Sequence, residues 1–170
     1  MKKLRKGDNV ELKIESLAFG GLGIAKYDDH VIFVRGAIPQ QIVNTVIIRK
    51  KKSYYEGLAL EIISESPNFT KPECSHFKYC GGCVHQNLNY DEQLNQKQFQ
   101  VEDIFVRLGG YKTQIINPII GCDNIWNYRN KMEFTYSSNI WYENSDSPHL
   151  PLALGLHIPK RFDKILDISK

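Results

Sequence analysis

Three cysteines near the middle of the chain are the residues best suited to chemistry. Cys74, Cys80 and Cys83 lie within ten residues, in the pattern C-x5-C-G-G-C. The two glycines between the second and third cysteine let the backbone turn tightly, so that two thiolates can face one metal centre. Three clustered thiolates with a remote fourth ligand commonly hold a [4Fe-4S] cluster, and the spacing favours that centre.

Two other interpretations of the cysteines stay open at this point. Structural zinc generally uses two pairs of closely spaced ligands, so a zinc site here would need His76 or His85 as its fourth ligand. The three cysteines could also be buried without any metal. Cys122 stands alone in the sequence, and we expect it to be a small turn or core residue rather than a nucleophile.

The composition excludes several classes of protein. The chain has 170 residues, of which 42% are hydrophobic and 24% are charged, as in ordinary soluble globular proteins. No apolar run approaches the roughly 20 residues that cross a bilayer, and the first residues lack an apolar signal region. We therefore expect no membrane partner and a reducing, cytoplasmic location, where clustered cysteines bind metal more often than they form disulfides.

The net charge of +3 is too small to identify a nucleic-acid binder by itself. The charge is unevenly distributed, because residues 1–62 carry 11 Lys and Arg against 7 Asp and Glu, whereas residues 63–127 carry 5 against 7. The basic excess therefore lies in the first third of the chain.

Alternating apolar and polar residues predict a β-rich first part, residues 1–64. Val10, Leu12 and Ile14 alternate with charged residues, which is typical of a strand with one buried face. Five strands are predicted in this part, at residues 9–16, 22–27, 30–35, 42–49 and 54–63. This number and spacing favour a small closed barrel of the OB type, with a five-stranded sandwich as the alternative.

The rest of the chain predicts a linker with the cysteines at residues 65–88, followed by a partial α+β domain at residues 89–170. Asn89 and Glu92 form a capping box, which predicts one long helix that ends at Gly109-Gly110. Beyond the helix, strands are predicted at residues 114–120, 130–137, 152–158 and 164–168. The predicted fold class is therefore mainly β with an α+β part.

Several of these segments together resemble a known family. Residues 19–25 (FGGLGIA), 31–34 (VIFV) and 37–39 (AIP) resemble a TRAM domain, which is a small RNA-binding barrel. The cysteine segment, with Gln86, Tyr90, Gln93-Leu94 and Lys97, and the later segment 126–134 (WNYRNKMEF) are similar to the RNA uracil-5-methyltransferases. Those enzymes join a TRAM domain, an iron–sulfur central domain and a C-terminal methyltransferase domain, and the resemblance covers nearly the whole chain.

The resemblance implies a [4Fe-4S] cluster on Cys74, Cys80 and Cys83, whose fourth cysteine would follow Lys170. It also implies S-adenosylmethionine as methyl donor, bound by a C-terminal domain that carries the catalytic cysteine and base. None of those groups is in the 170 residues, so we expect the N-terminal part of a longer monomeric enzyme, inactive by itself. One departure is Pro39-Gln40-Gln41, where the family usually has Pro-Gly-Glu; the fold should tolerate it.

The product implied by the resemblance is 5-methyluridine in rRNA or tRNA, so this part of the enzyme would have to hold RNA. A base that is modified must leave its stack, which favours single-stranded or looped RNA. Phe33, Tyr54 and Tyr55 are candidates for stacking on bases, with barrel packing as the alternative for the tyrosines. The candidates for phosphate contacts are Arg35 and the run Arg49, Lys50, Lys51 and Lys52, with a solvated hairpin tip as the alternative for the run.

Arg129 and Lys131 are further candidates for RNA contact. They alternate with Tyr128, Asn130 and Met132 on a predicted strand, and they lie within the segment that resembles the methyltransferases. Two other hypotheses remain for the whole chain. One is a free-standing RNA-binding adaptor with structural zinc and no catalysis, and the other is a redox-sensing cluster protein.

Overall fold

The computed structural model describes residues 3–111, 116–143 and 150–168. The chain forms two compact units, which we describe separately. The first unit comprises Met1–Thr70 and Asn87–Cys122, and the second comprises Lys71–Gln86 and Asp123–Lys170. The first compact unit therefore contains both the helix and the first sheet. The domains predicted from the sequence instead divided the chain at residues 64/65 and 88/89, where one motif gives way to the next.

The first unit is built on a curled six-stranded sheet, a half-barrel with strand order β1-β5-β6-β4-β3-β2. Neighbouring strands are antiparallel, except that β4 and β6 are parallel. The five predicted strands are confirmed, and a short sixth strand, β2, is added. The bounds are β1 Asn9–Lys13, β2 Ser16–Leu17, β3 Gly23–Tyr27, β4 His30–Arg35, β5 Ile42–Lys50 and β6 Tyr54–Ser64.

The predicted strand at residues 9–16 is divided because its backbone changes partner. Residues of β1 pair with β5 up to Lys13. Ile14 then donates its amide to the carbonyl of Gln41 (2.9 Å), and Glu15 donates to the carbonyl of Ile24 on β3 (2.7 Å). The chain thus crosses from one side of the sheet to the other within two residues, and this crossing curls the sheet.

The concave face of the sheet holds the main core. Ile32 and Val34 on β4 and Val43 and Ile47 on β5 are fully buried, as the period of two along each strand requires. Tyr55 on β6 is the largest buried side chain and is 2% exposed. Burial of aliphatic and aromatic side chains of this size contributes about 1.5–3 kcal/mol each, so this face is the main source of stability of the first unit.

The turn after β4 includes two glutamines with different tasks. Gln40 has a left-handed backbone (φ 70°), and its amide donates to the carbonyl of Ile14 (2.8 Å). The side chain of Gln41 is buried, where it accepts a hydrogen bond from the amide of Ile38 (2.9 Å) and donates one to Glu65 (2.6 Å). The fold therefore accommodates Gln40 where the family usually has glycine. The buried side-chain amide of Gln41 is hydrogen-bonded to both Ile38 and Glu65.

One α-helix is found among the described residues, α1 at Tyr90–Asp103 in the first unit, and it continues as a π-helical turn at Ile104–Leu108. The predicted cap is confirmed, because Asn89 Oδ1 accepts a hydrogen bond from the amide of Glu92 (2.8 Å). The amide of Gly109 donates to the carbonyl of Ile104 (3.0 Å) and ends the helix where the sequence predicted. Among the helices of the described residues, none is long and apolar enough to cross a membrane.

Two glutamine side chains of α1 hold the helix to strand β2. Gln96 Oε1 accepts from the amide of Leu17 (2.8 Å), and Gln100 Nε2 donates to the carbonyl of the same residue (2.8 Å). Leu17 is also part of a small buried cluster with Ile38 and Leu88. The backbone of β2 therefore fixes the helix against the half-barrel, and the side chain of Leu17 packs with Leu88, just before the helix begins.

The second unit is built on a three-stranded antiparallel sheet of order β7-β8-β9, with β7 at Thr135–Ser137, β8 at Ala153–His157 and β9 at Ile165–Asp167. The predicted strands at residues 152–158 and 164–168 are confirmed. The prediction at 130–137 is wrong before residue 135. In the prediction at 114–120, residues 114 and 115 lie outside the described residues, and residues 116–120 form no strand.

Strand β7 is short because a backbone group of its partner strand, β8, is already hydrogen-bonded to another segment. Thr135 pairs with Gly155, so residue 133 would lie opposite His157 if the ladder continued. The carbonyl of His157 instead accepts a hydrogen bond from Gly81 in the cysteine segment (3.0 Å). A backbone without a neighbouring ladder cannot form a strand, whatever the alternation of its side chains.

We predict that Gln40→Gly stabilises the first unit. A left-handed backbone costs an L-residue about 1–2 kcal/mol, whereas glycine loses only about 0.5–1 kcal/mol of additional chain entropy. The free energy of unfolding, measured in urea by circular dichroism, should rise by about 0.5–1 kcal/mol. Gln40→Ala is the matched control, since it removes the same exposed side chain and keeps the strain; an equal gain in both variants would contradict the explanation.

Candidate functional site

The first candidate site is the cysteine loop, which we define as residues 74–86 of the second unit. The loop begins with a compact turn. The amide of Phe77 donates to the carbonyl of Cys74 (3.1 Å), and the amide of Cys80 donates to the carbonyl of His76 (2.8 Å). The side chain of Gln86 accepts from the amide of Cys74 (3.2 Å), which joins the two ends of the loop. Cys74, Cys80 and Cys83 therefore belong to one locally folded segment.

The two glycines of the loop lie directly against strand β8. A Cβ atom added to Gly81 would lie 2.6 Å from the carbonyl oxygen of His157, which is too close for any side chain. A Cβ added to Gly82 would lie 3.0 Å from Cδ1 of Leu156 and 3.4 Å from the sulfur of Cys80. The sequence prediction that these glycines permit a tight turn therefore has a specific cause, the close approach of two backbones.

The Cys80 thiol is influenced by both other cysteines of the loop. Burial raises the pKa of this half-buried thiol, a hydrogen bond from the amide of Gly82 (3.3 Å) lowers it, and the charges of Cys83 and Cys74 raise it further. Negative charge on Cys74 or Cys83 therefore disfavours the thiolate form of Cys80, a repulsion that a bound cation would offset.

The donor set of the loop suits a thiolate-bound metal centre. Cys74, Cys80 and Cys83 are free thiols, which are the ligands of iron–sulfur clusters and of many zinc sites. Within residues 3–111, 116–143 and 150–168, however, no three His, Cys, Asp or Glu side chains already surround one point closely enough to hold a metal ion. The metal centre therefore stays a prediction, which the chemistry of the loop supports.

The second candidate site is the convex face of the first sheet, which we call the outer face. Phe33 on β4 and Tyr54 on β6 lie side by side there, with ring centroids 5.3 Å apart and ring planes at 83°. Arg35 follows two residues after Phe33 and therefore points to the same side. Its Nε is buried and has no hydrogen-bond partner in the described part of the chain. Three of the predicted RNA-binding residues thus share one face.

The basic run occupies the hairpin between β5 and β6. Arg49 forms an ion pair with Glu56 (3.6 Å). Lys50 lies over the ring of Tyr55, 5.4 Å from its centroid, and contacts the carbonyl of Leu4 (3.4 Å). Lys51 and Lys52 are exposed in the turn and form no ion pair among the described residues. These last two lysines are therefore the most accessible charges of the run.

The structure corrects the prediction that Tyr55 stacks on bases. Tyr54 and Tyr55 are adjacent on β6, so their side chains point to opposite faces. Tyr55 is 2% exposed and packs in the concave core, with His30 at 5.3 Å between ring centroids. Tyr55 is thus a core residue, and only Tyr54 lies on the outer face.

The structure also corrects the strand on which Arg129 and Lys131 were placed. Neither residue belongs to a strand, because the ladder of β7 begins only at Thr135. Arg129 Nη2 donates to the carbonyl of Gly82 in the cysteine loop (3.4 Å), whereas Lys131 forms an exposed ion pair with Glu133 (2.6 Å). Whether either residue also contacts RNA stays a prediction.

The sequence did not predict that Tyr79 in the cysteine loop contacts Trp141. The ring of Tyr79, next to Cys80, lies 4.7 Å from that of Trp141, and its hydroxyl hydrogen-bonds Glu143. The long sequence interval between the two rings carries no local signal of this contact. The pair gives the loop an aromatic support beside the second of its cysteines.

Comparison with known proteins identifies relatives for most of the chain. Residues 3–60 match the TRAM domain family. The chain is 38% identical to a protein of Porphyromonas gingivalis and 42% identical to one of Bacteroides thetaiotaomicron, both named uncharacterized RNA methyltransferases, over 94% and 91% of its length. A protein of Chlorobaculum tepidum with the same description is 33% identical over 98% of the chain. The chain spans only 35–36% of the length of these relatives.

We predict that Gly81→Ala destabilises the second unit, because the new methyl group would lie 2.6 Å from the carbonyl oxygen of His157. The free energy of unfolding should fall by about 1–3 kcal/mol, which is typical of overpacking. Urea unfolding followed by tryptophan fluorescence measures it, since Trp126 and Trp141 both lie in this unit.

The matched control is Gly82→Ala, whose methyl group would meet the movable end of Leu156 at 3.0 Å rather than a backbone atom. We expect this variant to lose less than about 1 kcal/mol. Equal losses in the two variants would show that the approach to His157 does not explain the glycines.

Proposed function

We propose that the chain is the RNA-binding part of an S-adenosylmethionine-dependent RNA uracil-5-methyltransferase, because residues 3–60 match the TRAM domain family and the chain is similar over more than nine-tenths of its length to proteins named RNA methyltransferases. Its product would be 5-methyluridine in rRNA or tRNA. The proposal includes a cytoplasmic location and a methyltransferase domain, outside these 170 residues, as the partner of this part.

The observation that carries the proposal is the combination of aromatic rings and cations on the outer face. Phe33 and Tyr54 are only partly buried, and their edge-to-face packing keeps both rings in fixed orientations. Rings of this kind offer stacking surfaces to unpaired bases, each worth about 1–3 kcal/mol. The single strand of an RNA loop fits this face better than a double helix, whose bases are already stacked.

The charges near the rings suit the phosphates between stacked bases. Arg35 forms no ion pair among the described residues, and its buried Nε has no acceptor, so an added acceptor would offset the cost of that orphaned group. Lys51 and Lys52 extend from the neighbouring hairpin into solvent. The proposal does not depend on Arg49, whose charge is already paired with Glu56.

The task of this part follows from the chemistry of the reaction. The methyl group comes from S-adenosylmethionine, and the residues that would attack and deprotonate the uracil are not among these 170 residues. Moving a base out of its stack costs a few kcal/mol unless it is already unpaired. By stacking on the bases that flank the target, Phe33 and Tyr54 would hold the RNA in an unstacked form and lower that cost.

The cysteine loop would hold a [4Fe-4S] cluster through Cys74, Cys80 and Cys83, with a fourth ligand from outside these residues. The cluster would supply iron–thiolate bonds that tie the two ends of the loop together. The Gly81–Gly82 backbone, which approaches β8 too closely for side chains, would keep the second and third thiolates adjacent.

We predict that Phe33→Ala weakens the binding of a short single-stranded RNA of mixed sequence by about 1–3 kcal/mol, because one stacking surface is removed. Fluorescence anisotropy with the 170-residue chain measures the affinity. Phe19→Ala is the control, since it removes a ring that is 63% exposed in the turn between β2 and β3 and should leave the affinity unchanged.

The lysines provide a contrast within the same experiment. Replacing Lys51 and Lys52 by glutamine should reduce the slope of log affinity against log salt by about 0.7 for each RNA phosphate that the variant no longer neutralises. Lys13→Gln is the matched control, because Lys13 pairs with Ile42 at the opposite end of β5. Equal affinity of wild type and Phe33→Ala, together with equal salt slopes, would refute RNA binding by the outer face.

We predict that the chain binds iron and sulfide when it is reconstituted anaerobically with an excess of a small thiol, which supplies the fourth ligand, and that it then has a brown colour and absorption at about 400 nm. Cys80→Ser should abolish this absorption, whereas Cys122→Ser, in the first unit, should retain it. A colourless protein with one zinc per chain would instead favour the zinc-binding adaptor.

A further inference from the structure

The side chain of Arg129 is held in one place by its neighbours in the second unit. Nη2 donates a hydrogen bond to the carbonyl of Gly82 (3.4 Å), and Nη1 donates to the sulfur of Met132 (3.6 Å). The centre of the guanidinium group lies 6.0 Å from the centroid of the Tyr128 ring. The planar fork of arginine makes these contacts at the same time, which the single ammonium group of lysine could not do.

The acceptor of this hydrogen bond lies between two of the loop cysteines. The amide of Gly82 donates a hydrogen bond to the sulfur of Cys80 (3.3 Å). The carbonyl group of Gly82 is joined to the nitrogen of Cys83 by the peptide bond between the two residues. Gly81 is fixed separately by the carbonyl of His157 (3.0 Å). Rotation of the peptide unit between Gly82 and Cys83 would therefore move Cys83, and the contact of Arg129 opposes that rotation.

We propose that Arg129 is a positioning residue of the cysteine loop, which fixes the carbonyl of Gly82 and thereby keeps the sulfurs of Cys80 and Cys83 in their mutual arrangement. The contact joins two segments that are 47 residues apart. The neighbouring charge, Lys131, is instead paired with Glu133 (2.6 Å). The contact of Arg129 with Gly82 does not depend on the proposed function. Only the use of the loop as a metal site rests on it.

The experiment measures the alkylation rate of each cysteine by iodoacetamide in the metal-free 170-residue chain, read by peptide mass spectrometry. In Arg129→Met the half-buried thiol of Cys80 should react about fivefold faster, the factor that corresponds to the loss of one hydrogen bond of average net strength. Arg129→Lys, which keeps one donor, should fall between wild type and Arg129→Met. Cys122 in the first unit is the internal reference and should not change.

Lys131→Met is the matched control, because it removes the same charge from the same segment and should leave the rate of Cys80 unchanged. A rate in Arg129→Met within twofold of wild type would overturn the proposal. An equal increase at Cys80 and Cys122 would also overturn it, since that result indicates general unfolding rather than local positioning.

A parallel measurement of RNA affinity separates this proposal from the proposed function. The RNA affinity of Arg129→Met reports whether Arg129 also contacts RNA, and the positioning role does not depend on that result. If Arg129→Met binds RNA more weakly and the rate of Cys80 is unchanged, Arg129 is an RNA contact and the positioning role is wrong. If the rate of Cys80 rises and Phe33→Ala has no effect on RNA affinity, the positioning role holds and RNA binding by the outer face fails.

Discussion

The arrangement of the first unit depends on the change of partner at Ile14. Its amide and carbonyl are bonded to Gln41 and Gln40, whereas the next amide is bonded to Ile24 on β3. The side chain of Ile14 is fully buried in the concave core, and a methyl group on Gly23 would lie 3.0 Å from it. In a flat sheet of this strand order β1 and β2 would lie at opposite edges, too far apart for the two residues between them to connect. The crossing makes the sheet curl, and the curl separates a concave face filled by the core from a convex face that carries Phe33, Tyr54 and Arg35.

The second unit depends on a different constraint, the close approach of two backbones. Gly81 and Gly82 lie so near β8 that the carbonyl of His157 accepts a hydrogen bond from Gly81. The same carbonyl is therefore not available to extend the ladder between β7 and β8. The segment before β7 consequently has no ladder and contacts the loop through Arg129. A local deviation from regular strand structure thus accompanies the feature that brings the thiols together, as is common where a protein builds a site.

Local patterns were sufficient to predict the five strands, the helix cap and the glycine stop, because each depends on residues within a few positions of one another. Both Tyr54 and Tyr55 were candidates for stacking, but adjacent strand residues face opposite sides, and which of the two faces outward depends on the register of β6 with β4 and β5. The alternation at residues 128–136 predicted a strand, yet a strand needs a partner, and its partner is bonded to the cysteine loop. The contact of Arg129 with Gly82 joins distant segments, for which a single sequence carries no signal.

The attachment of α1 to β2 also protects an edge of the sheet. β2 is the last strand on its side, and a terminal strand with unpaired amides and carbonyls can recruit a strand of another molecule. At Leu17 both backbone groups are already bonded, the amide to Gln96 and the carbonyl to Gln100. The helix thereby occupies the position that an intruding strand would take, and the half-barrel resists edge-to-edge aggregation on this side without closing into a full barrel.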